Sequence, residues 1–328
     1  MKLRSIACVI DGDIIEAVQR GDRTGSDKRA RYDISVVRSL RHLAGTVHLV
    51  AALESSTRTI NELACLQPDV VFNLAFSAVP LEASFAGALE ILGIPYTGSG
   101  PLGIALANDK IRSRQLLRAV GIGTPHFAEV MRDGESPKVN FDPPFLVKPV
   151  WGADSAGIRG DSVVNSLDQV LNRADRIWRR LQVTAICDEF IIGREFHAVM
   201  VEGRGGTFHT VAIVELRFPS AERGRGFKCE MVIKNGKRHR FYEMALRPAL
   251  LSEQLREKVT TVAQRAANVL GVRGYTKVDM RIDDEDNITV LEVNPNPAIQ
   301  SPSVFWPRRK FEQNLMQIIN SAIRKARE

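Results

Sequence analysis

The sequence predicts an α/β protein, with a parallel sheet in its first third and an α+β arrangement of strands and helices after it. Three observations lead there. Residues 1 to 107 alternate short apolar runs with helical segments, the pattern of side-by-side strands covered by helices. A glycine-rich stretch, Tyr96-Thr-Gly-Ser-Gly-Pro-Leu-Gly103, interrupts that alternation. From Ile192 onward strands dominate, broken by a long helical pattern between Ser252 and Leu270. A chain of 328 residues holds two or three units of the usual ~100–150 residues each. The expected division is 1–107, 108–191 and 192–328.

Taken in order, Ile6 to Ile10, Val47 to Ala52 and Val70 to Leu74 are apolar runs of strand length, and Leu81 to Leu92 is a helix ended by Gly93. The first run follows a basic start but stops at Asp11, shorter than the hydrophobic region and cleavage site of a signal peptide. A buried first strand is the better reading. Asn108 is placed to cap a helix that carries Lys110 and runs to Val120, with Gly121 just beyond. Phe145 to Pro149 reads as a strand, Trp151 to Gly160 as a loop, Leu167 to Leu181 as a helix and Thr184 to Ile191 as a strand. Lys310 to Arg327 closes the chain as a helix.

No segment approaches the ~20 apolar residues of a membrane span, and a hydrophobic content of 44% is enough for a sizeable core. Cys8, Cys65, Cys187 and Cys229 lie far apart without a CxxC pair, so the expectation is reduced thiols in the cytoplasm. A net charge of +7 raises the question of nucleic acid. The densest basic run, Lys234-Asn-Gly-Lys-Arg-His-Arg240, has an Asn-Gly turn between two alternating segments and therefore reads as a hairpin. It is expected to be a solvated edge, or to meet an anionic small substrate, since no helix-turn-helix, zinc-finger or aromatic RNA-binding signature accompanies it.

The most informative stretch is a late pair of strands, Lys277-Val-Asp-Met-Arg-Ile282 and Thr289-Val-Leu-Glu-Val-Asn294. Side chains alternate across a strand, so Lys277 and Asp279 share one face and Glu292 and Asn294 share another. With Asp284-Glu-Asp-Asn287 as the loop, antiparallel pairing sets 281 opposite 290, 279 opposite 292 and 277 opposite 294. Two carboxylates facing each other destabilise a hairpin unless something positive lies between them. Oxygen donors of this kind suit Mg2+, which takes one or two carboxylates together with substrate phosphates. Upstream, Lys148 precedes the small-residue loop Trp151-Gly-Ala-Asp-Ser-Ala-Gly157, whose backbone N–H groups could approach phosphate oxygens. Ile158-Arg159 stands where a P-loop requires Lys-Ser/Thr, so this is a different device.

In order along the chain, Lys110, Lys148, Cys187-Asp-Glu-Phe-Ile-Ile-Gly-Arg-Glu-Phe196, Asp279 and Glu292-x-Asn294 resemble the ATP-grasp fold, and within it the D-alanine–D-alanine ligase-like enzymes. The resemblance covers roughly residues 68 to 300; Ile94 to Gly100 with Asn108-Asp-Lys110 looks like the family's linker, and Leu291 to Pro297 like its metal strand. It implies a pre-ATP-grasp domain ahead of two ATP-grasp subdomains, and an ATP-dependent ligase that joins a small carboxylate to an amine, both expected to be amino acids. It further implies that Lys110 and Lys148 contact ATP phosphates, that Glu189, Phe190 and Ile191 form the adenine hinge, and that Glu195 holds the ribose. Ser155 would be the side-chain donor of the closing loop. Asp279, Glu292 and Asn294 would bind two Mg2+ ions, with Mn2+ as the alternative. Lys277 stands where dipeptide ligases have an oxyanion-stabilising arginine; its other reading is an ion-pair partner of Asp279. Related ligases are often dimers, which makes a homodimer the expectation by analogy.

Three departures concern the substrates. Asp11-Gly-Asp-Ile-Ile-Glu16 stands where the family has a glycine-rich turn and an anchoring glutamate. Asn73-Leu-Ala-Phe-Ser-Ala-Val79 replaces the family's His-Gly segment and carries no charge. The mobile-loop lysine has Lys228 as its nearest equivalent in the segment Arg217 to Phe241. A relative acting on a different acid and amine is therefore preferred to a D-alanine–D-alanine ligase of cell-wall synthesis. Two rivals stay open: a kinase of the same fold and a nucleotide-binding accessory protein. Arg194 and Arg217 are candidates for a substrate carboxylate, and an exposed ion pair fits them nearly as well. His126, His197 and His209 lack metal-ligand spacing and read as ordinary histidines.

Overall fold

A computed structural model describes residues 3–19, 28–52, 56–75, 81–132, 137–152, 155, 157–218, 226–227, 232–234, 237–239, 244–299, 303 and 305–326. The chain opens with β1 (Leu3–Asp11), α1 (Gly12–Gln19), α2 (Lys28–Leu43), β2 (Ala44–Ala52), α3 (Ser56–Leu66), β3 (Val70–Asn73) and α4 (Leu81–Ile91). The three strands form a parallel sheet in the order β2-β1-β3. The apolar run of β1 is divided by the two-residue period of a strand: Ile6, Cys8 and Ile10 join one buried cluster, Ala7 and Val9 another. Both faces are covered, which is why this strand reads as continuously apolar.

The chain continues with α5 (Pro101–Asn108), α6 (Lys110–Ala119), β4 (Phe127–Val130), β5 (Phe145–Pro149), β6 (Val163–Val164), α7 (Leu167–Leu181) and β7 (Ala185–Glu189). These strands make a four-stranded antiparallel sheet, β4-β7-β5-β6. Two details differ from the sequence expectation. The stretch read as a glycine-rich turn starts α5, because Pro101 at its first position needs no N–H partner there. The cap of α6 is Asp109 rather than Asn108: its Oδ1 accepts the backbone N–H groups of Ile111 and Arg112, each at 3.0 Å.

The last part contains β8 (Arg194–Glu202), β9 (Phe208–Arg217), β10 (Val232–Lys234), β11 (Lys237–His239), β12 (Ala245–Pro248), α8 (Glu253–Val269), β13 (Tyr275–Ile282), β14 (Ile288–Asn294) and α9 (Phe311–Lys325). Strands β10 and β11 pair with Lys234 opposite Lys237, and the expected Asn-Gly turn between them lies outside the described residues. The large sheet is antiparallel, β12-β9-β8-β13-β14. One face packs on α8 through Phe196, Ala198, Val278, Met280 and Val290. On the other face Val199, Val201 and Tyr275 share a cluster with Leu315, Ile318 and Ile319 of α9 and with Ile6 and Cys8 of β1. Helix α9 thereby joins the first and last sheets, each fully buried Leu or Ile contributing about 1.5–3 kcal/mol of transfer free energy.

A close approach secures the same junction. Gly98 has φ +97°, and a Cβ there would lie 1.9 Å from Asn296 Oδ1, which accepts the Ser99 N–H at 3.0 Å. The amide nitrogen of Asn296 donates to Glu82 of α4 at 2.6 Å. A contact 214 residues apart in sequence thus ties α4 to the segment just beyond β14.

Candidate active site

The late strand pair forms as its side-chain period requires. Lys277 lies opposite Asn294, and Asp279 directly opposite Glu292. Past this point the expected register fails: Met280 pairs with Val290 and Arg281 with Thr289 across a β-bulge. The cause lies on the other face of the sheet. Val290 and Val293 are both buried against α8 although three residues apart, so one extra residue must be accommodated if Glu292 is to keep the opposite face.

Positive charges surround the two acids. Lys277 Nζ donates to Asp279 Oδ2 at 2.9 Å, and Lys110 Nζ lies 4.0 Å from Glu292 Oε1. Asn294 Nδ2 reaches the same Asp279 oxygen at 3.3 Å. The other oxygen, Oδ1, is buried and has no hydrogen-bond partner among the described residues. Carboxylates face to face, an amide beside them and an unsatisfied buried oxygen form a donor set that fits a hard divalent cation.

The residues expected at the phosphates lie on α6, β5 and the loop after it. Lys110, the first residue of α6, donates to the carbonyls of Gly152 at 2.9 Å and Val150 at 3.5 Å. Lys148 Nζ is 3.0 Å from Asp188 Oδ2, and Arg114 forks onto both oxygens of the same acid. All three side chains are buried. Burial pushes the Lys148 ammonium below its ordinary value, opposed by the Asp188 charge. Burial would raise Asp188, but Arg114 and Lys148 override it and hold the carboxyl below its usual range. Ser155 sits in the loop with φ +62° and accepts the N–H of Ile158 at 3.0 Å through its carbonyl. Arg173 of α7 pins the loop's end by donating to Gly157 O at 2.5 Å. Gly157 itself is at φ +76°, where a Cβ would meet Pro149 Cγ at 2.5 Å.

The segment expected to be the hinge, Glu189 to Ile191, lies at and just after the end of β7. Glu189 turns its carboxylate to the His126 N–H at 3.1 Å, and the Phe190 N–H donates to Pro144 O at 3.1 Å. Phe190 and Phe227 are buried together, rings edge-on at 5.9 Å, with Leu146, Ile158 and Val163 beside them. The result is an apolar cluster beside the chain that leaves β7. Glu195 lies below it on β8, opposite Arg281, whose Nη2 donates to its Oε2 at 3.0 Å. Burial alone would raise this acid; His197 and Arg281 instead bring it down to about 2. His197 is buried, stacked on Phe305 at 5.8 Å, and its Nε2 stands 3.6 Å from both Glu195 Oε1 and Asp279 Oδ1. Burial depresses the imidazole, so it favours the neutral form.

One face of the large sheet thus carries Glu195, His197, Lys277, Asp279 and Arg281, with Glu292 and Asn294 continuing it, while Lys110 and Lys148 come from the neighbouring unit. Lys228 lies outside the described residues. Arg194 and Arg217 do not join the others. Both pair with Glu215, at 3.0 Å each, and Glu215 is opposite Phe196, on the face away from Glu195. Of the two readings, the ion pair is the one these arginines fit, and not a substrate carboxylate at this site. Sequence reading passed over Arg281, Asp188 and Arg114, and treated His197 as an ordinary histidine. The signal for Arg281 and His197 was present, since each is two residues along a strand from a chosen acid.

Comparison with known proteins agrees with this geometry. Residues 116–316 match the family model described as "D-ala D-ala ligase C-terminus". The D-alanine–D-alanine ligase of Sinorhizobium medicae is 31% identical over 252 residues, 73% of this chain and 74% of the relative. That of Bordetella petrii is 27% identical over 256 residues, 76% and 73% of the two chains. Among solved structures, the Bacillus anthracis D-alanine–D-alanine ligase complexed with ATP superposes with a TM-score of 0.73 at 19% identity, covering 100% of this chain and 99% of that one. The VanG D-Ala:D-Ser ligase of Enterococcus faecalis gives 0.68 at 20% identity, covering 98% and 100%.

Proposed function

We propose, from the premise that this chain belongs to the D-alanine–D-alanine ligase family of ATP-grasp enzymes, a residue-level account of how it works as an ATP-dependent carboxylate–amine ligase. A carboxylate oxygen attacks the terminal phosphorus of ATP, the bond to the bridging oxygen breaks, and ADP leaves. The amine nitrogen then attacks the carbonyl carbon of the acyl phosphate. Collapse of the tetrahedral intermediate breaks the carbon–oxygen bond, releasing phosphate and a proton with the amide.

The protein's part is positioning and charge. Lys110 and Lys148 offset charge on the phosphates, and Ser155 adds a donor from the loop. Glu189, Phe190 and Ile191 meet adenine largely through backbone groups while the Phe190–Phe227 cluster beside them excludes water. Glu195, kept ionised, accepts the ribose hydroxyls. Asp279, Glu292 and Asn294 would hold Mg2+, which supplies Lewis-acid stabilisation of phosphoryl oxygens when bound. Asn294 can offer its oxygen after rotation of its amide. Lys277, on the same face, is the candidate oxyanion partner; as a compact point charge it is not equivalent to an arginine fork. Lys228 is assigned to the acceptor side from its order in the sequence alone.

The observation that carries the reading is Asp279 facing Glu292 with the Lys277 and Lys110 ammonium groups at 2.9 and 4.0 Å. The acid and amine are taken to be amino acids. D-Alanine is the first to test because the relatives are named for it; the uncharged Asn73-Leu-Ala75 run favours a different pair. A cytoplasmic setting suits free Cys8, Cys65 and Cys187, and no helix among the described residues is long and apolar enough to cross a membrane. A homodimer and the three-part division 1–107, 108–191 and 192–328 complete the proposal. The test is ADP release with pooled acids and amines. Turnover that needs both supports ligation, and phosphorylation of an acceptor without any amine would refute it.

A further inference from the structure

Arg281 is a buried guanidinium with more than one task. Its side chain is 4% exposed. Nη1 donates to the Ile191 carbonyl at 2.6 Å, and Nη2 donates to Glu195 Oε2 at 3.0 Å and to the Gly226 carbonyl. Its carbon centre lies 5.0 Å from the centre of the Phe190 ring, which stacks edge-on with Phe227. One planar fork therefore touches the hinge, the acid below it and the connection between β9 and β12. These bonds are charge-assisted and shielded from water, where they are strongest and most directional.

We infer that Arg281 is the positioning residue that fixes Glu195 as an ionised, oriented acceptor for the ribose hydroxyls of the nucleotide. The inference rests on the reading of Glu195 as the ribose acid and extends it. A carboxylate this deeply buried stays charged only if something pays for its lost hydration, and Arg281 sits directly across the strand pair to do so. Because the same guanidinium holds Ile191 O, the distance between hinge and acid is set by one rigid group. Adenine and ribose are thus read from a common fixed point.

The test compares ATP with 2′,3′-dideoxyATP, which lacks both hydroxyls, by calorimetric binding with Mg2+ and no acid or amine. The unmodified protein should prefer ATP. Arg281→Met, close in length but neutral, should weaken ATP about tenfold more than it weakens dideoxyATP, the scale of a lost hydrogen bond to a charged group, with the loss shared by both nucleotides reporting the Ile191 contact. Arg281→Lys keeps a positive charge without the fork and should retain part of the preference; it carries the test if the methionine variant does not fold. Equal weakening of both nucleotides, or an undiminished preference in both variants, would overturn the inference by making Arg281 merely structural. Equal affinity of the unmodified protein for the two nucleotides would instead remove the ribose assignment of Glu195, and the inference with it.

Discussion

Buried Glu195 and half-buried Glu82 show two different ways of setting a carboxylate. Glu195, on the large sheet, faces Arg281 and His197 and is held ionised, at about 2. Glu82, on α4, faces the amides of Asn296 and Asn108 at 2.6 and 3.4 Å, and burial pushes it above its ordinary value. The face of the large sheet that carries Glu195 concentrates paired charges, as the proposed phosphate chemistry requires. Glu82 is held by neutral amides alone, where Glu195 is held by a guanidinium and an imidazole.

The sharpest attack on this contrast is Glu292→Ala. It should abolish ADP release, by more than about a thousandfold, while the melting temperature stays close to that of the unmodified protein, since Glu292 is half-buried. Retained turnover would remove the metal assignment. Asp188→Asn should act mainly on stability. It leaves Arg114 and Lys148 buried without their shared acid, a loss of about 3–5 kcal/mol in denaturant unfolding. Lys277→Ala should slow coupling by about ten- to a hundredfold with little change in ATP affinity; equal loss of both would mark a lysine that serves only Asp279.

The two glutamates give the smallest effects and opposite signs. Glu195 is depressed from an ordinary value of 4.5 to about 2, so its stabilisation is complete above 4.5 and is lost as pH falls through about 2. Glu82 is raised, so its contribution is present below 4.5 and disappears as pH rises through its folded value. Melting curves at pH 7 should therefore show Glu195→Gln destabilised and Glu82→Gln unchanged or more stable. Matching losses in both would erase the contrast.

The sequence made local geometry legible and left distant pairing hidden. Lys277 opposite Asn294 and Asp279 opposite Glu292 follow from alternation and a short loop. The bulge beyond them depends on where α8 packs, which no window around Val290 contains. Lys110 and Lys148 stand out by their order, whereas the Arg114–Asp188 pair spans 74 positions and has no local signature. Adjacent Asn108 and Asp109 can both cap a helix, and only the backbone path selects Asp109. Pro101 was grouped with its neighbouring glycines as a turn although it also starts helices.

Stoichiometry tests the central claim most directly. ATP, Mg2+, an acid and an amine are incubated together, and ADP, phosphate and amide are counted. The account predicts one of each per turnover, all lost in Glu292→Ala; ADP formed alongside a stable phosphorylated acceptor, with no amide, would contradict it.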